Sequence, residues 1–227
     1  MRNISIVIAG AVAIAAVVGG VYLATKPGSP SAQSAPAPAG GTAAPAAPAA
    51  LPPELQITAT DHVMGAADAA VTIVEYASMT CGHCASFHTT VLPELKKKYV
   101  DTGKVRFVYR DFPLDEVAAR AAQLAECVGN ERYFAIVDMI FRGQAQWAAA
   151  KDPIAELVKS LRIAGLPEDA AKTCLADQKT LDAILLERQG GDKLGVNSTP
   201  TLFVNGQRLT GGRTMAELDE ILSKLIK

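Results

Sequence analysis

The sequence has little net charge and few aromatic residues. Its 22 Lys and Arg residues nearly balance 23 Asp and Glu residues, so the formal net charge is −1 at pH 7, and aromatic residues make up 5% of the chain. A nucleic-acid-binding protein normally carries a basic patch or stripe. The short basic run at residues 96–98 is typical of a solvated helix face instead. The composition therefore predicts no nucleic-acid partner.

Cysteine and histidine are also scarce, with four Cys and three His in the chain. Cys81 and Cys84 form a CxxC motif, and His88 follows four residues later. These three side chains could ligate zinc or copper, because thiolate and imidazole suit both metals. No second CxxC or HxxxH motif in the sequence supplies a fourth ligand. We therefore expect no metal and no cofactor, and keep a metal-binding chaperone as the alternative from a different functional class.

The CxxC motif lies between a predicted strand and a predicted helix. Residues 71–76 are mostly β-branched or aromatic, which favours a strand, and residues 85–99 are rich in helix formers. Cys81 is thus expected at a helix N-terminus, where free N–H groups and the helix dipole favour a thiolate. Cys84 lies one turn later, close enough for a disulfide. The spacing predicts that Cys81 attacks and Cys84 resolves.

A second marker lies far downstream, where Thr199 and Pro200 precede an apolar strand. A proline at a strand start is ordinary when taken alone. In combination with the CxxC motif it predicts a cis-proline loop beside the two cysteines. Asn205-Gly206 then predicts a tight hairpin turn.

These features together resemble the DsbA-like thiol–disulfide oxidoreductases of the thioredoxin fold. The resemblance rests on the strand ending at Tyr76, the cysteine motif, Thr199-Pro200 and the long helical stretch between them, and it covers about residues 61–227. It implies an α/β thioredoxin fold with a helical domain inserted at about residues 114–190. In this family the dipeptide between the cysteines, here Gly82-His83, and the residue before the cis-proline, here Thr199, tune the redox potential.

The resemblance also assigns roles to His83 and Glu75. The His83 imidazole is expected to stabilise the Cys81 thiolate, the alternative being a solvent-facing side chain without a role. The family places a buried acid at the strand position that matches Glu75, where it can exchange a proton with the inner cysteine. Strand alternation leaves open that Glu75 faces solvent instead.

The other two cysteines, Cys127 and Cys174, lie on separate predicted helices of the insertion. An even number of cysteines suits an oxidising compartment. We predict a structural disulfide between them, with buried free thiols as the alternative.

The N-terminal part predicts a membrane anchor followed by a tether. Residues 4–25 are 22 uncharged, mostly apolar residues, which as a helix would span about 33 Å, enough for a bilayer core. Arg2 before this run favours export of the following chain. We expect an anchor at residues 1–26, with a cleaved signal as the alternative, a disordered Pro/Ala-rich linker at 27–54, and the folded domain at 55–227.

These expectations combine into one functional hypothesis. We expect a monomeric enzyme on the periplasmic side of the inner membrane that introduces disulfides into exported client proteins through Cys81 and Cys84. A membrane redox partner would reoxidise the pair. A disulfide isomerase or a reductase of the same fold is the alternative.

Overall fold

A five-stranded mixed sheet forms the centre of the computed structural model, which describes residues 51–211 and 213–226. The strands are β1 His62–Met64, β2 Val71–Ala77, β3 Val105–Asp111, β4 Thr201–Val204 and β5 Gln207–Thr210. Their order is β1-β3-β2-β4-β5, with β2 and β3 parallel and the other neighbours antiparallel. The predicted anchor at residues 1–26 and residues 27–50 of the predicted linker lie outside the described residues.

A continuous helical stretch follows the CxxC motif. It consists of α1 Gly82–Ser86, a π-helical turn Phe87–Val91, α2 Leu92–Leu95 and a second π-helical turn Lys96–Val100. Pro93 has no N–H to donate to a carbonyl of the preceding turn. The missing hydrogen bond fits the π-helical geometry of that turn, Phe87–Val91, which is wider than an α-helical turn. Among the described residues, no helix combines the length and the apolar character that a membrane crossing requires.

Six helices lie between β3 and β4, and a last one follows β5. They are α3 Glu116–Glu126, α4 Asn130–Arg142, α5 Gln144–Trp147, α6 Pro153–Ile163, α7 Glu168–Leu175, α8 Gln178–Lys193 and finally α9 Met215–Leu225. Asp115 starts α3 by accepting a hydrogen bond from the Ala118 N–H at 2.7 Å. The predicted thioredoxin fold with a helical insertion is confirmed, and the inserted helices begin and end within a few residues of the predicted bounds.

The strand that leads to the CxxC motif is buried on both faces. Ile73 and Ala77 pack into the cluster that also contains Cys84 and the helices of the insertion, whereas Val74 and Tyr76 pack into a second cluster on the opposite face. Because side chains alternate along a strand, Glu75 shares the face of Ile73 and Ala77. Glu75 therefore lies on the side of the sheet that carries the cysteines.

The segment before β1 is held to the sheet by Arg110. This buried guanidinium donates to the Glu54 carbonyl at 2.8 Å and to the Asp61 carboxylate at 2.7 Å. Pro53–Leu55 form a 3-10 turn, and Leu55 is fully buried. Ordered packing thus includes Glu54, at the end of the predicted linker.

Candidate active site

Cys81 occupies the position expected of a nucleophile, immediately before the first turn of α1. Its side chain is half-buried, and in the thiol form its Sγ–H donates to the Thr199 carbonyl at 3.2 Å. The hydrogen bond from the Cys84 thiol lowers the pKa of Cys81 to about 5, helped by the Thr199 side chain and by the backbone N–H groups of Cys84 and His83 and opposed by partial burial. The surroundings of Cys81 therefore favour its thiolate form.

Cys84 is the opposite case, fully buried in the cluster beneath α1. Burial raises the pKa of Cys84 well above its usual value, and the hydrogen bond to Cys81 and the negative charge of Glu75 act in the same direction. Both cysteines are reduced, with no disulfide between them. The site thus contains one thiol that ionises readily and one that retains its proton.

His83 acts on Cys81 through its main chain. Its backbone N–H contributes to the lowered pKa of Cys81, while its side chain is exposed. The predicted effect of the His83 imidazole on the thiolate stays a prediction.

Glu75 is fully buried and pairs with His88. The Glu75 Oε2 to His88 Nε2 distance is 2.8 Å, and both side chains are shielded from solvent. Among the described residues, Glu75 Oε1 has no hydrogen-bond partner although it too is buried. A solvent-facing Glu75, the alternative considered from strand alternation, is therefore not what the structure contains.

The pairing of His88 with Glu75 bears on the metal-binding alternative. His88 directs a ring nitrogen to a carboxylate, and no group of three or more His, Cys, Asp or Glu residues within 51–211 and 213–226 is placed to hold a metal ion. The sequence did indicate on which side of the helical stretch His88 lies, although it did not indicate its partner. Cys84 and His88 are four residues apart, a spacing that places both on the inner side of that stretch.

Thr199 and Pro200, which lie more than a hundred residues after the CxxC motif, are brought beside it. The Thr199-Pro200 peptide bond is cis, both residues are buried, and the Thr199 carbonyl is the acceptor for Cys81. The Asn205-Gly206 turn that follows has positive φ at both residues, as the predicted tight hairpin requires.

The insertion supplies contacts that sequence reasoning missed. Gln144 on α5 donates from Nε2 to the carbonyls of Met79 at 2.8 Å and Cys81 at 3.0 Å. Thr80 donates to the Asp115 carboxylate at 2.7 Å. Nothing in the local pattern around Gln144 indicates such a contact, because its partners are more than sixty residues away in sequence.

The two remaining cysteines lie within the insertion. Cys127, at the end of α3, and Cys174, in α7, are joined by a disulfide with a Cα–Cα distance of 5.9 Å. The Gln123 side chain donates to the Cys174 carbonyl at 3.3 Å and to the Asp177 carbonyl at 2.9 Å, which adds a polar link between the same helices.

Comparison of the sequence with known proteins shows a match to one family. The sequence matches the family model described as thioredoxin over residues 57–224. A Rickettsia bellii protein named as a protein-disulfide oxidoreductase is 34% identical over 153 residues, which cover 66% of this chain and 59% of that relative. A Rickettsia conorii protein of the same name is 34% identical over 170 residues, which cover 74% and 61%. The matched region is thus about three fifths of the length of these relatives.

Solved structures share the fold. Wolbachia pipientis alpha-DsbA1 has a TM-score of 0.71 and 30% sequence identity, over 76% of this chain and 94% of that one. Oxidised BdbD from Bacillus subtilis has a TM-score of 0.66 over 73% and 92% of the two chains, and at 20% identity this likeness concerns the fold alone.

Proposed function

The chain belongs to the DsbA-like thiol–disulfide oxidoreductases of the thioredoxin fold, and we propose that it oxidises thiols of client proteins through Cys81 and Cys84. The observation that carries the proposal is the asymmetry of the two thiols. Cys81 is half-buried with a pKa of about 5, while burial raises the pKa of Cys84. An accessible thiolate beside a protonated buried thiol suits thiol–disulfide exchange.

The exchange begins with the oxidised enzyme. A client thiolate attacks Cys81 Sγ, the Cys81–Cys84 bond breaks, and Cys84 leaves and takes up a proton. A second client thiolate then attacks the client sulfur of the mixed disulfide, and Cys81 leaves as a thiolate. The client has lost two electrons and gained a disulfide, and the enzyme holds both electrons as a dithiol. The two sulfur atoms carry all the electrons, so the proposal needs no cofactor.

The stabilised Cys81 thiolate favours the oxidase direction. A disulfide is more oxidising when its reduced form is the stabilised one, and a low-pKa thiolate leaves readily. The Thr199 side chain and the N–H groups at the start of α1, which lower the pKa of Cys81, support this direction. The opposite direction belongs to a reductase, and rearrangement of wrong disulfides belongs to an isomerase.

The proposed location is the periplasmic side of the inner membrane, with residues 1–26 as anchor or cleaved signal. Two observations support it. Residues 4–25 are uncharged and mostly apolar, and Cys127 and Cys174 form a disulfide of the kind that persists in oxidising compartments. The clients are then exported proteins with free thiols, the enzyme acts as a monomer, and a membrane redox partner reoxidises it.

One experiment separates the activities. Oxidised full-length protein in detergent is mixed with a reduced client and, separately, with a client that carries scrambled disulfides. An oxidase forms disulfides rapidly in the first client and repairs the second slowly, and Cys81→Ala abolishes both activities. Faster repair of the scrambled client would favour an isomerase. Stoichiometric Zn(II) or Cu(I) binding that protects both thiols and requires His88 would favour the metal-binding chaperone.

A further inference from the structure

A carboxylate and an imidazole are buried together beneath the resolving cysteine. Glu75 is fully buried and His88 is 3% exposed, and their side chains meet at 2.8 Å. Both lie on the side of the sheet that carries Cys84: Glu75 by strand alternation, and His88 by its position four residues after Cys84. The negative charge of Glu75 raises the pKa of Cys84, so the carboxylate lies within electrostatic reach of that sulfur.

The two oxygens of Glu75 have different surroundings. Oε2 is bonded to His88 Nε2, whereas Oε1 is buried with no hydrogen-bond partner among the described residues. A buried carboxylate oxygen without a partner costs free energy, and such groups are rare in folded proteins. Oε1 is thus the oxygen of Glu75 that is available to a proton.

The ring of His88 is held by aromatic neighbours. It packs against Phe141 with centroids 4.2 Å apart, and Phe87 and Tyr109 meet it nearly edge-on at 5.9 Å and 5.7 Å. Besides Glu75 and the nearby Cys84, the titratable groups next to this packing are the Tyr109 hydroxyl and the Asp111 carboxyl, with the single Tyr109 O–H directed between Asp111 Oδ1 at 3.3 Å and Met79 Sδ at 3.7 Å. The aromatic packing therefore fixes the direction in which Nε2 meets Glu75.

We propose that His88 is a positioning residue for proton exchange at Cys84. Its Nε2–H donates to Glu75 Oε2 and fixes the carboxylate, so that Oε1 gives a proton to Cys84 and takes it back. This inference rests on the proposed thiol–disulfide exchange and concerns one step of it.

Protons and bonds balance in both directions. When a client thiolate opens the Cys81–Cys84 disulfide, Cys84 leaves as a thiolate and the Glu75 carboxylic acid gives it a proton. When Cys84 closes the disulfide again, the Glu75 carboxylate takes the thiol proton and Cys84 Sγ attacks Cys81 Sγ. The bond between Cys81 and the client sulfur then breaks, and the client leaves as a thiolate.

The test measures one step alone, the attack of Cys84 on a mixed disulfide at Cys81. Full-length protein is prepared with Cys81 in a mixed disulfide with glutathione, and release of glutathione by Cys84 is followed between about pH 5 and pH 9. The variants are His88→Phe, which keeps the ring but removes the donor, and His88→Gln, whose amide can place a donor near the position of Nε2. His88→Asn, too short to reach Oε2, replaces the Phe variant if that one does not fold.

The chain offers a matched control in its second His–Glu pair. His62 Nε2 lies 2.8 Å from Glu126 Oε1, and the His62 ring stacks on Tyr133. His62→Phe breaks a part-buried His–Glu pair of the same length outside the cysteine site. It controls for the loss of stability that any such substitution causes.

We expect His88→Phe to slow glutathione release about tenfold or more and to make the rate rise with pH, because hydroxide must then take the proton. His88→Gln should recover most of the rate, and His62→Phe should keep it. Alkylation of Cys81 in the reduced variants should stay at the wild-type rate.

Equal release rates in the wild type, His88→Phe and His88→Asn would overturn the inference, as would a loss in His62→Phe as large as in His88→Phe. Failure of wild-type Cys81 to form the mixed disulfide would contradict the proposed function instead.

Discussion

Gln144 of the helical insertion donates a hydrogen bond to the main-chain carbonyl of Cys81 at 3.0 Å. The same amide donates to the Met79 carbonyl at 2.8 Å, so one side chain holds both ends of the turn that leads into α1. Asp115, which begins α3, accepts from Thr80 between these two residues. The insertion therefore fixes the backbone of the nucleophile as well as covering one face of the sheet.

Gln144→Ala should lower stability by about 1–3 kcal/mol, because it leaves the Met79 and Cys81 carbonyls without this donor. Looser placement of Cys81 should also slow its alkylation at neutral pH. Chemical denaturation and iodoacetamide kinetics measure the two effects. Gln146→Ala, at an exposed position two residues further along α5, is the control and should change neither. Wild-type stability and alkylation in Gln144→Ala would show that these bonds are unimportant.

The reduced protein should show a thiolate absorbance at Cys81 that titrates near pH 5, and iodoacetamide should modify Cys81 far faster than Cys84. Cys84→Ala should move this titration to higher pH, because the hydrogen bond from Cys84 is the largest cause of the lowered pKa of Cys81. The same variant should accumulate mixed disulfides with clients. Faster alkylation of Cys84 in the wild type would mean that the two roles are reversed.

Local pattern was sufficient to predict the elements that form within short segments. The β-branched run at residues 71–76 became β2, and Asn205-Gly206 became a turn because only a few residue types accept positive φ at both positions. The inserted helices follow from their own periodicity and caps. These features depend on neighbours in sequence, so the sequence alone could reveal them.

The tertiary partners were harder to predict. The His88–Glu75 pair joins a helical turn to a strand, and Gln144 contacts residues more than sixty positions earlier. Neither contact therefore produces a periodic pattern in the sequence. The sequence also could not decide which face of β2 carries Glu75, because both faces are buried and the strand shows no apolar–polar alternation. Only the position of the strand between two core clusters settles that question.

Replacing both Cys127 and Cys174 with Ser should destabilise the protein by about 4 kcal/mol in the chain-entropy model, given their sequence separation of 47. Thermal or urea denaturation of the oxidised proteins measures the difference. Alkylation of Cys81 should be unchanged, since the double variant leaves the CxxC motif and Thr199 intact. Mass spectrometry that finds both residues as free thiols in protein from its own compartment would contradict the disulfide.

Full-length protein expressed in a Gram-negative host should remain with the inner membrane after osmotic shock, with its N-terminal residues intact. The apolar run at residues 4–25 is long enough to span the bilayer core. A variant with Asp at positions 12 and 16, Val12→Asp and Ala16→Asp, should lose membrane association, because carboxylates are costly in that environment. Recovery of a soluble wild-type form that begins near residue 25 would indicate a cleaved signal.

The reduced protein should be more stable to denaturant than the oxidised protein at pH 7 to 8, and this advantage should shrink as the pH is lowered to about 4. The pKa of Cys81 is about 5 in the folded protein against a reference of 9.0, so the folded reduced state binds fewer protons than the unfolded one between these values. Stabilisation from a depressed pKa is complete above the unfolded pKa and disappears as the pH falls through the folded pKa. Cys81→Ser removes the titrating thiolate and serves as the control, whose stability should lack this component of the pH dependence. An oxidised form that is the more stable one at pH 7 would overturn the oxidase direction and favour a reductase.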